Sequence, residues 1–146
     1  MTANKFLTQL EEKKLFKLLK QYLFSDLIDL NEEDQYSPVD WYQPSTNEHY
    51  ECKCRNEHYS ALVIEKKKYI QMLEYEKPIY LNSTPKGIFG FYLKELEEPV
   101  WADKLMNRTF EFGERVYIPK DSGMILISKC HFQLDHLLLP KLGITF

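Results

Sequence analysis

The chain has 146 residues, the size of one domain with a single hydrophobic core, and we expect one domain over residues 1–146. With 44% hydrophobic and 28% charged residues, the composition excludes a disordered or low-complexity chain. A formal net charge of -3 excludes a strongly basic protein, so any contact with nucleic acid must come from a local basic patch.

Apolar stretches and cysteines indicate the compartment. The sequence contains no run of about 18 apolar residues and no signal pattern near its N-terminus, which predicts a soluble, intracellular protein of the cytoplasm with no membrane contact. Its three cysteines, an odd number, make a poor disulfide framework. This cysteine usage agrees with a reducing compartment.

The first predicted element is a helix over residues 5–24, where apolar residues recur every three or four positions and lysines fill the opposite arc. Glu11 and Glu12 fall inside the apolar arc, and Glu11 lies nearer its centre. We expect Glu12 to reach solvent from the edge of that face. For Glu11, a buried and an exposed position remain equally open.

A predicted hairpin follows an acidic loop at residues 25–38. Strand-like runs cover residues 39–43 and 48–55, and the sequence Pro44-Ser45-Thr46-Asn47 between them suits a four-residue loop. Because side chains alternate along a strand, the pairing across this loop determines which of them share a face.

Pairing Gln43 with Glu48 places two carboxylates, Asp40 and Glu51, opposite each other, with Lys53 on the same face one pleat repeat along. The other residues of this polar face are Tyr42, His49 and Arg55. The opposite, apolar face carries Val39, Trp41, Tyr50, Cys52 and Cys54. The cysteines are therefore predicted to be core residues, and the charged side chains are predicted to form a site.

Opposed carboxylates on paired strands have Cβ atoms roughly 4.5–5.5 Å apart and repel each other, so the pair needs compensation. A divalent cation is the simplest compensation, and oxygen ligands at this spacing suit Mg²⁺ or Mn²⁺. We therefore expect Asp40 and Glu51 to bind Mg²⁺ or Mn²⁺.

The remaining segments are predicted to be scaffold. After an apolar run, a helix begins near Glu65 and ends before Pro78. Its expected buried residues are Tyr69, Ile70, Met72 and Leu73. Two more hairpins are predicted, one pairing residues 79–82 with 88–93 and one pairing 115–118 with 124–128 around Lys120-Asp121-Ser122-Gly123.

The order of three features resembles the PD-(D/E)XK nuclease superfamily, the fold of restriction endonucleases. These features are an aspartate at the start of one strand, Glu-x-Lys in the next strand and a helix after it. Here the pattern is Asp40, ten residues, then Glu51-Cys52-Lys53, with Val39 between the proline and the aspartate that adjoin in the family pattern. The likeness covers about residues 5–128 and is closest to small phage-encoded members, which would place the protein in a host cytoplasm. It implies an α/β fold with a restriction-endonuclease-like core, a central mixed β-sheet flanked by helices.

The resemblance also implies an activity and its residues. Asp40, Glu51 and the backbone carbonyl of Cys52 would ligate Mg²⁺ or Mn²⁺, and Glu11 would match a helix carboxylate that some members aim at the same metal. Lys53 would orient the attacking water and stabilise charge on phosphorus. The implied reaction is metal-dependent hydrolysis of phosphodiester bonds, with DNA preferred to RNA as the partner.

Basic residues near the predicted site would contact that nucleic acid. Arg55 and Lys68 are the expected phosphate contacts. Lys68 is chosen because similar phage sequences carry a lysine at its position, directly before an aromatic residue. The apolar C-terminal tail, residues 136–146, is expected to be tucked into the core or to form a homodimer or complex-subunit contact.

Two alternatives remain open. Cys52 and Cys54 with His49 and His58 contain zinc-binding atoms, but on a regular strand His49 points away from the face that the cysteines share, which argues against a tetrahedral zinc site. Alternatively, the chain is a non-catalytic protein of the nuclease fold, acting as a nucleic-acid-binding or protein-interaction subunit of a phage particle or replication complex.

Overall fold

The computed structural model describes residues 12–55, 57–109 and 115–134. Within these ranges the protein is a mixed α/β structure with two helices and two β-sheets. In chain order its elements are α1 (Glu12–Tyr22), β1 (Ile28–Asp29), β2 (Trp41–Gln43), β3 (Glu48–Cys54), β4 (Ala61–Glu65), α2 (Lys66–Met72), β5 (Lys77–Thr84), β6 (Gly87–Tyr92), β7 (Ala102–Thr109), β8 (Arg115–Leu126) and β9 (Phe132–Leu134).

The larger sheet is mixed and contains six strands in the order β1-β2-β3-β5-β6-β9. Strands β3 and β5 are parallel, and every other neighbouring pair in this sheet is antiparallel. Parallel neighbours need a crossover connection, and β4 with α2 supplies it here. The smaller sheet is antiparallel, in the order β4-β8-β7.

The hairpin of β2 and β3 has the predicted register, with Gln43 opposite Glu48 and Trp41 opposite Tyr50. Asn47 in the connecting loop has φ 57°, a left-handed conformation that asparagine tolerates well. The ladder begins at Trp41, so Asp40 lies just outside it and its N–H donates to the carbonyl of Tyr50 at 2.9 Å.

Val39 does not share the face of Trp41, and that prediction is wrong. Regular pairing stops before Val39, so strict alternation no longer applies, and its side chain is fully buried in a core cluster with Tyr80 and Phe91. A hydrogen bond of 2.7 Å from the Ser37 hydroxyl to the Val39 carbonyl holds this short irregular segment.

Two apolar clusters sandwich the larger sheet. The first packs α1, through Leu15 and Leu19, against Trp41, Tyr50 and Cys52. This confirms the predicted position of Cys52 on the core side of β3. Cys54 packs against the same cluster and is partly buried.

The second cluster joins the opposite face of the sheet to α2 and the smaller sheet, and it includes Tyr69, Met72, Leu62 and Ile64. Ile70 was predicted to be buried with them, but it is 51% exposed, so that prediction is wrong. The helix is only seven residues long, and its apolar stripe passes through Tyr69 and Met72, three residues apart.

Only part of the predicted first helix falls within the described residues, and α1 occupies Glu12–Tyr22 of it. The position predicted for Glu11 and the contact predicted for the C-terminal tail both lie outside the described residues.

The hairpin predicted at residues 115–128 is wrong, because residues Arg115–Leu126 form one continuous strand, β8. This strand pairs with β7 along its first part and with β4 along its last. Gly123 serves close packing there instead of a turn, because a Cβ atom at this position would lie 2.5 Å from Cβ of Pro99 and 3.0 Å from the Trp101 ring.

Among the described residues, neither helix has the length and apolar character needed to cross a membrane.

Candidate active site

Asp40 lies at the entrance to β2, and both of its carboxylate oxygens accept hydrogen bonds. The backbone N–H of Cys52 donates to Oδ2 at 2.9 Å, and the side-chain amide of Asn31 donates to Oδ1 at 2.9 Å. Asn31 is itself held by a 3.0 Å hydrogen bond from its N–H to Oδ1 of Asp29. The carboxylate of Asp40 is thus fixed from the β3 side and from the loop before β2.

Glu51 lies beside Asp40 on β3 and is only 5% exposed. The negative charge of Asp40 acts on the Glu51 carboxyl group, so the two side chains lie near each other. The structure therefore brings together the two acidic residues that the hairpin register predicted to be neighbours.

Glu12 is the third acidic residue near this site. Its side chain is only partly buried, so it still reaches solvent from the edge of its helix face as expected, and it lies close enough to Asp40 for the two carboxylates to repel each other. Leu15 and Leu19, three and seven residues further along α1, are fully buried, so Glu12 lies on the helix face that packs on the sheet. This i, i+3, i+7 relation was the sequence signal that could have identified Glu12.

Burial and neighbouring negative charge raise the pKa of both Glu51 and Glu12. Burial, followed by repulsion from Asp40, raises the pKa of Glu51 to about 7, although Lys68 and Lys53 oppose the shift. Burial, again followed by repulsion from Asp40, raises the pKa of Glu12 to about 8. Negative charge in this cluster is therefore incompletely compensated by the chain's own cations.

Two lysines approach Glu51 from different elements. Nζ of Lys53, on β3, lies 3.8 Å from Glu51 Oε2, and Nζ of Lys68, on α2, lies 3.6 Å from Oε1. Lys68 also donates to the carbonyl of Pro38 at 2.5 Å, which links α2 to the segment before Asp40. Lys53 is half-exposed, so its ammonium group is accessible to a ligand.

The three consecutive lysines at the start of α2 point in different directions. Lys66 forms an ion pair of 3.7 Å with Asp121 of the smaller sheet, whereas Lys68 reaches Glu51. Lys67 is exposed and lines a cavity with Lys68 and Tyr36. Lys68 is therefore the member of the run that belongs to the carboxylate cluster.

Arg55 follows β3 and lies close to the same site. Its guanidinium group donates to the side-chain oxygen of Asn82 at 2.7 Å, to the carbonyl of Val63 at 3.0 Å and to the hydroxyl of Tyr80 at 3.0 Å. All three acceptors are uncharged. Arg55 and Lys53 line one cavity of about 180 Å³ together with Lys68.

The histidines that a zinc site would need make other contacts, away from the two cysteines. The ring of His49 lies between those of Tyr42 and Tyr75, with centroids 4.4 and 4.1 Å away. His58 contacts the hydroxyl of Thr84 through Nδ1 at 2.8 Å. Interaction with the Cys54 thiol, followed by burial, raises the pKa of Cys52, and interaction with the Cys52 thiol lowers the pKa of Cys54.

No group of three or more histidine, cysteine, aspartate or glutamate side chains within the described ranges has the arrangement of a metal site. Mg²⁺ differs from zinc in this respect, because it usually takes one or two protein carboxylates and keeps several waters. Asp40 and Glu51, which lie near each other with unbalanced negative charge, fit that requirement. The backbone carbonyl of Cys52 remains a predicted third ligand.

Asn31 was not identified from the sequence as a site residue. Its contact with Asp40 spans nine residues of an acidic loop, where asparagine is a common turn residue. No local pattern distinguishes a positioning asparagine from a turn asparagine, so only the fold shows its connection to the site.

Comparisons with protein-family models, with curated proteins and with solved structures found no match to this chain.

Proposed function

We propose that the protein is a metal-dependent nuclease of the PD-(D/E)XK type, which hydrolyses phosphodiester bonds of nucleic acid, with DNA preferred to RNA. The observation that carries this proposal is the proximity of two carboxyl groups, those of Asp40 at the entrance to β2 and Glu51 on β3, with Lys53 on the same strand as Glu51. The crossover through α2 to the parallel strand β5 supports a restriction-endonuclease-like core around them.

The excess of negative charge is the physical reason to expect a cation. Three carboxyl groups lie near one another here, and two of them have a pKa raised to about 7 and about 8. A protein without a ligand for this site gains nothing from keeping repelling acids close together, whereas a divalent cation at Asp40 and Glu51 relieves the repulsion. When bound, Mg²⁺ or Mn²⁺ would lower the pKa of a water molecule and neutralise charge on a phosphate.

The chain's own residues have distinct parts in this proposal. Asp40 and Glu51, with the carbonyl of Cys52, would hold the cation, and Glu12 takes the helix position that the resemblance assigned to Glu11. Lys53 would orient the attacking water and stabilise the charge that develops on phosphorus, because a fixed ammonium group needs no reorganisation during the reaction. Lys68 would hold Glu51 and contact a phosphate oxygen.

A cleavage assay tests the proposal. Labelled single-stranded and duplex DNA and RNA would be incubated with wild type, Asp40→Ala and Lys53→Ala in Mg²⁺, in Mn²⁺ and in EDTA. We expect metal-dependent cleavage by wild type and a loss of about 100-fold or more in each variant. Lys94→Ala, an exposed lysine at a different cavity, is the matched control and should retain activity. Full cleavage by Asp40→Ala would refute the proposal.

A second candidate is a non-catalytic subunit of the same fold that binds nucleic acid or protein. The ion pairs of Glu51 with both Lys53 and Lys68 favour it, because they compensate part of the negative charge without a metal. In that case wild type would bind an oligonucleotide without cleaving it in either metal. The same assay, followed by gel analysis of the recovered oligonucleotide, separates the two candidates.

A further inference from the structure

Three cavities adjoin beside the carboxylate cluster. The middle cavity, of about 180 Å³, contains Lys53, Arg55 and Lys68 in its wall. It shares Lys68 and Glu65 with a second cavity of about 270 Å³, and it shares Arg55 with a third of about 440 Å³. The shared residues make the three cavities successive parts of one surface path, which we call the track.

The track is basic although the protein is acidic overall. Its walls contain four basic side chains, those of Lys53, Arg55, Lys67 and Lys68, and one acidic side chain, that of Glu65. The net charge of the whole chain is -3, so this concentration of positive charge is local. Such a patch is what the sequence composition requires of any site that contacts a polyanion.

An exposed tyrosine lies at each end of the track. Tyr36, in the second cavity, is 82% exposed, and Tyr59, in the third, is 57% exposed. The hydroxyl of Tyr59 donates to the carboxylate of Glu57, which restrains the ring at the surface. Each exposed ring offers a flat aromatic face on which an unpaired base can stack.

Basic grooves with aromatic platforms suit one kind of polyanion in particular. In a single strand, the backbone phosphates can follow the cations while unpaired bases stack on the aromatic rings. In a duplex the bases are already stacked on each other and have no free faces for tyrosine. Tyrosines at both ends of a phosphate path therefore favour a single strand over a duplex.

We propose that the track binds single-stranded nucleic acid across the carboxylate cluster, with one base stacked on Tyr36 and another on Tyr59. This inference rests on the proposed function, because it makes a single strand the substrate of that site. Lys53 and Lys68 belong to both the track and the cluster, so a strand in the track places a phosphate next to Asp40 and Glu51.

Binding can be measured without cleavage by fluorescence anisotropy in EDTA. The probes are a labelled single-stranded 20-mer DNA, the same sequence as RNA and the corresponding DNA duplex, titrated with wild-type protein. We expect the single strands to bind at least tenfold more tightly than the duplex. Tyr36→Ala and Tyr59→Ala should each weaken single-strand binding by about tenfold, whereas the Phe variants, which keep the ring, should bind like wild type.

The salt dependence provides a second readout. Replacing Lys67 by Ala should reduce the slope of log affinity against log salt by about 0.7, the value for one phosphate contact on a single strand. Lys94→Ala, at a cavity outside the track, should leave the slope unchanged. Equal binding of duplex and single strand, or wild-type affinity in both Tyr→Ala variants, would overturn the track.

The outcomes also separate this inference from the proposed function. If single-strand binding depends on both tyrosines but the protein cleaves no nucleic acid, the result supports single-strand binding in the track and refutes the proposed nuclease activity. If cleavage depends on Asp40 but both Tyr→Ala variants bind and cleave like wild type, the result supports the nuclease activity and refutes single-strand binding in the track.

Discussion

Oδ2 of Asp40 accepts a hydrogen bond of 2.9 Å from the backbone N–H of Cys52, across the end of the β2–β3 ladder. This bond replaces the next ladder interaction, because regular pairing begins only at Trp41. It joins the residue after Glu51 directly to the Asp40 carboxylate. The two acidic side chains are thereby held near each other despite their repulsion, and a backbone hydrogen bond fixes the position of one of them.

Asn31 should position Asp40 for metal binding. In Asn31→Ala the second oxygen of Asp40 loses its 2.9 Å partner, and we expect Mn²⁺ affinity to fall by about 10- to 100-fold. Isothermal titration calorimetry measures the change. Ser37→Ala is the matched control, because it removes another side-chain hydrogen bond of the same loop without touching Asp40. Equal losses in both variants would assign the effect to the loop in general.

The unliganded protein should lose stability as the pH rises from about 4.5 to 8. Glu51 and Glu12 keep their protons up to about pH 7 and 8 in the folded chain, whereas an unperturbed glutamate releases its proton near 4.5. Over this interval the folded state binds more protons than the unfolded state, so stability decreases with pH, by at most about 1.4 kcal/mol per pH unit for each such proton. Thermal unfolding in EDTA at a series of pH values measures this.

Glu51→Gln should make the loss of stability with rising pH less steep, because it removes one of the two carboxyl groups whose pKa is raised. Glu74→Gln, on an exposed residue just after α2, is the control and should keep the wild-type slope. Mg²⁺ should raise the melting temperature more at pH 8 than at pH 5.5, since metal ligands must be deprotonated. A wild-type melting temperature that rises between pH 5 and 8 in EDTA would contradict the raised pKa values.

The thiols of Cys52 and Cys54 should be dispensable for the site. Cys52→Ala keeps the backbone N–H that donates to Asp40 and removes only a small buried side chain, so we expect a stability loss of about 1 kcal/mol and retained metal-dependent cleavage. Cys54→Ala should behave similarly. Stoichiometric zinc in the purified protein that disappears in Cys54→Ala, measured by elemental analysis, would instead support the zinc alternative.

Gly123 should be required by the packing of the smaller sheet. A methyl group there would overlap Pro99 and press on the Trp101 ring, so Gly123→Ala should lower the free energy of unfolding by about 1–3 kcal/mol. Urea denaturation measures the loss. Met124→Ala, at the next and exposed position of β8, should cost less. A loss in Gly123→Ala no larger than a few tenths of a kcal/mol would contradict the predicted overlap, because it would show that β8 accommodates the added methyl group.

Local patterns were sufficient to predict the hairpin that carries the site. The four-residue loop and the alternation of side chains gave the correct pairing of Gln43 with Glu48, and with it the proximity of Asp40 and Glu51. These features depend on residues close together in sequence, where backbone geometry leaves few alternatives. The α/β class was implied by the resemblance to the PD-(D/E)XK superfamily, and the structure has a mixed α/β fold.

Contacts between distant segments could not be predicted in the same way. The approach of Glu12 to Asp40 depends on how α1 packs on the sheet, and the bond from Asn31 depends on the path of an irregular loop. Gly123 resembles a turn residue in sequence, yet the structure requires glycine there because the Trp101 ring packs closely against it. In each case a tertiary contact overrides the local preference.

A metal site at Asp40 and Glu51 is tested most directly by a calorimetric titration of Mn²⁺ into wild type and into the double variant Asp40→Ala, Glu51→Ala at pH 8. We expect saturable binding by wild type and its loss in the double variant, whose folding is verified by circular dichroism. Binding of equal strength in both proteins, or a folded wild type that takes up no Mn²⁺, would contradict a metal site at Asp40 and Glu51.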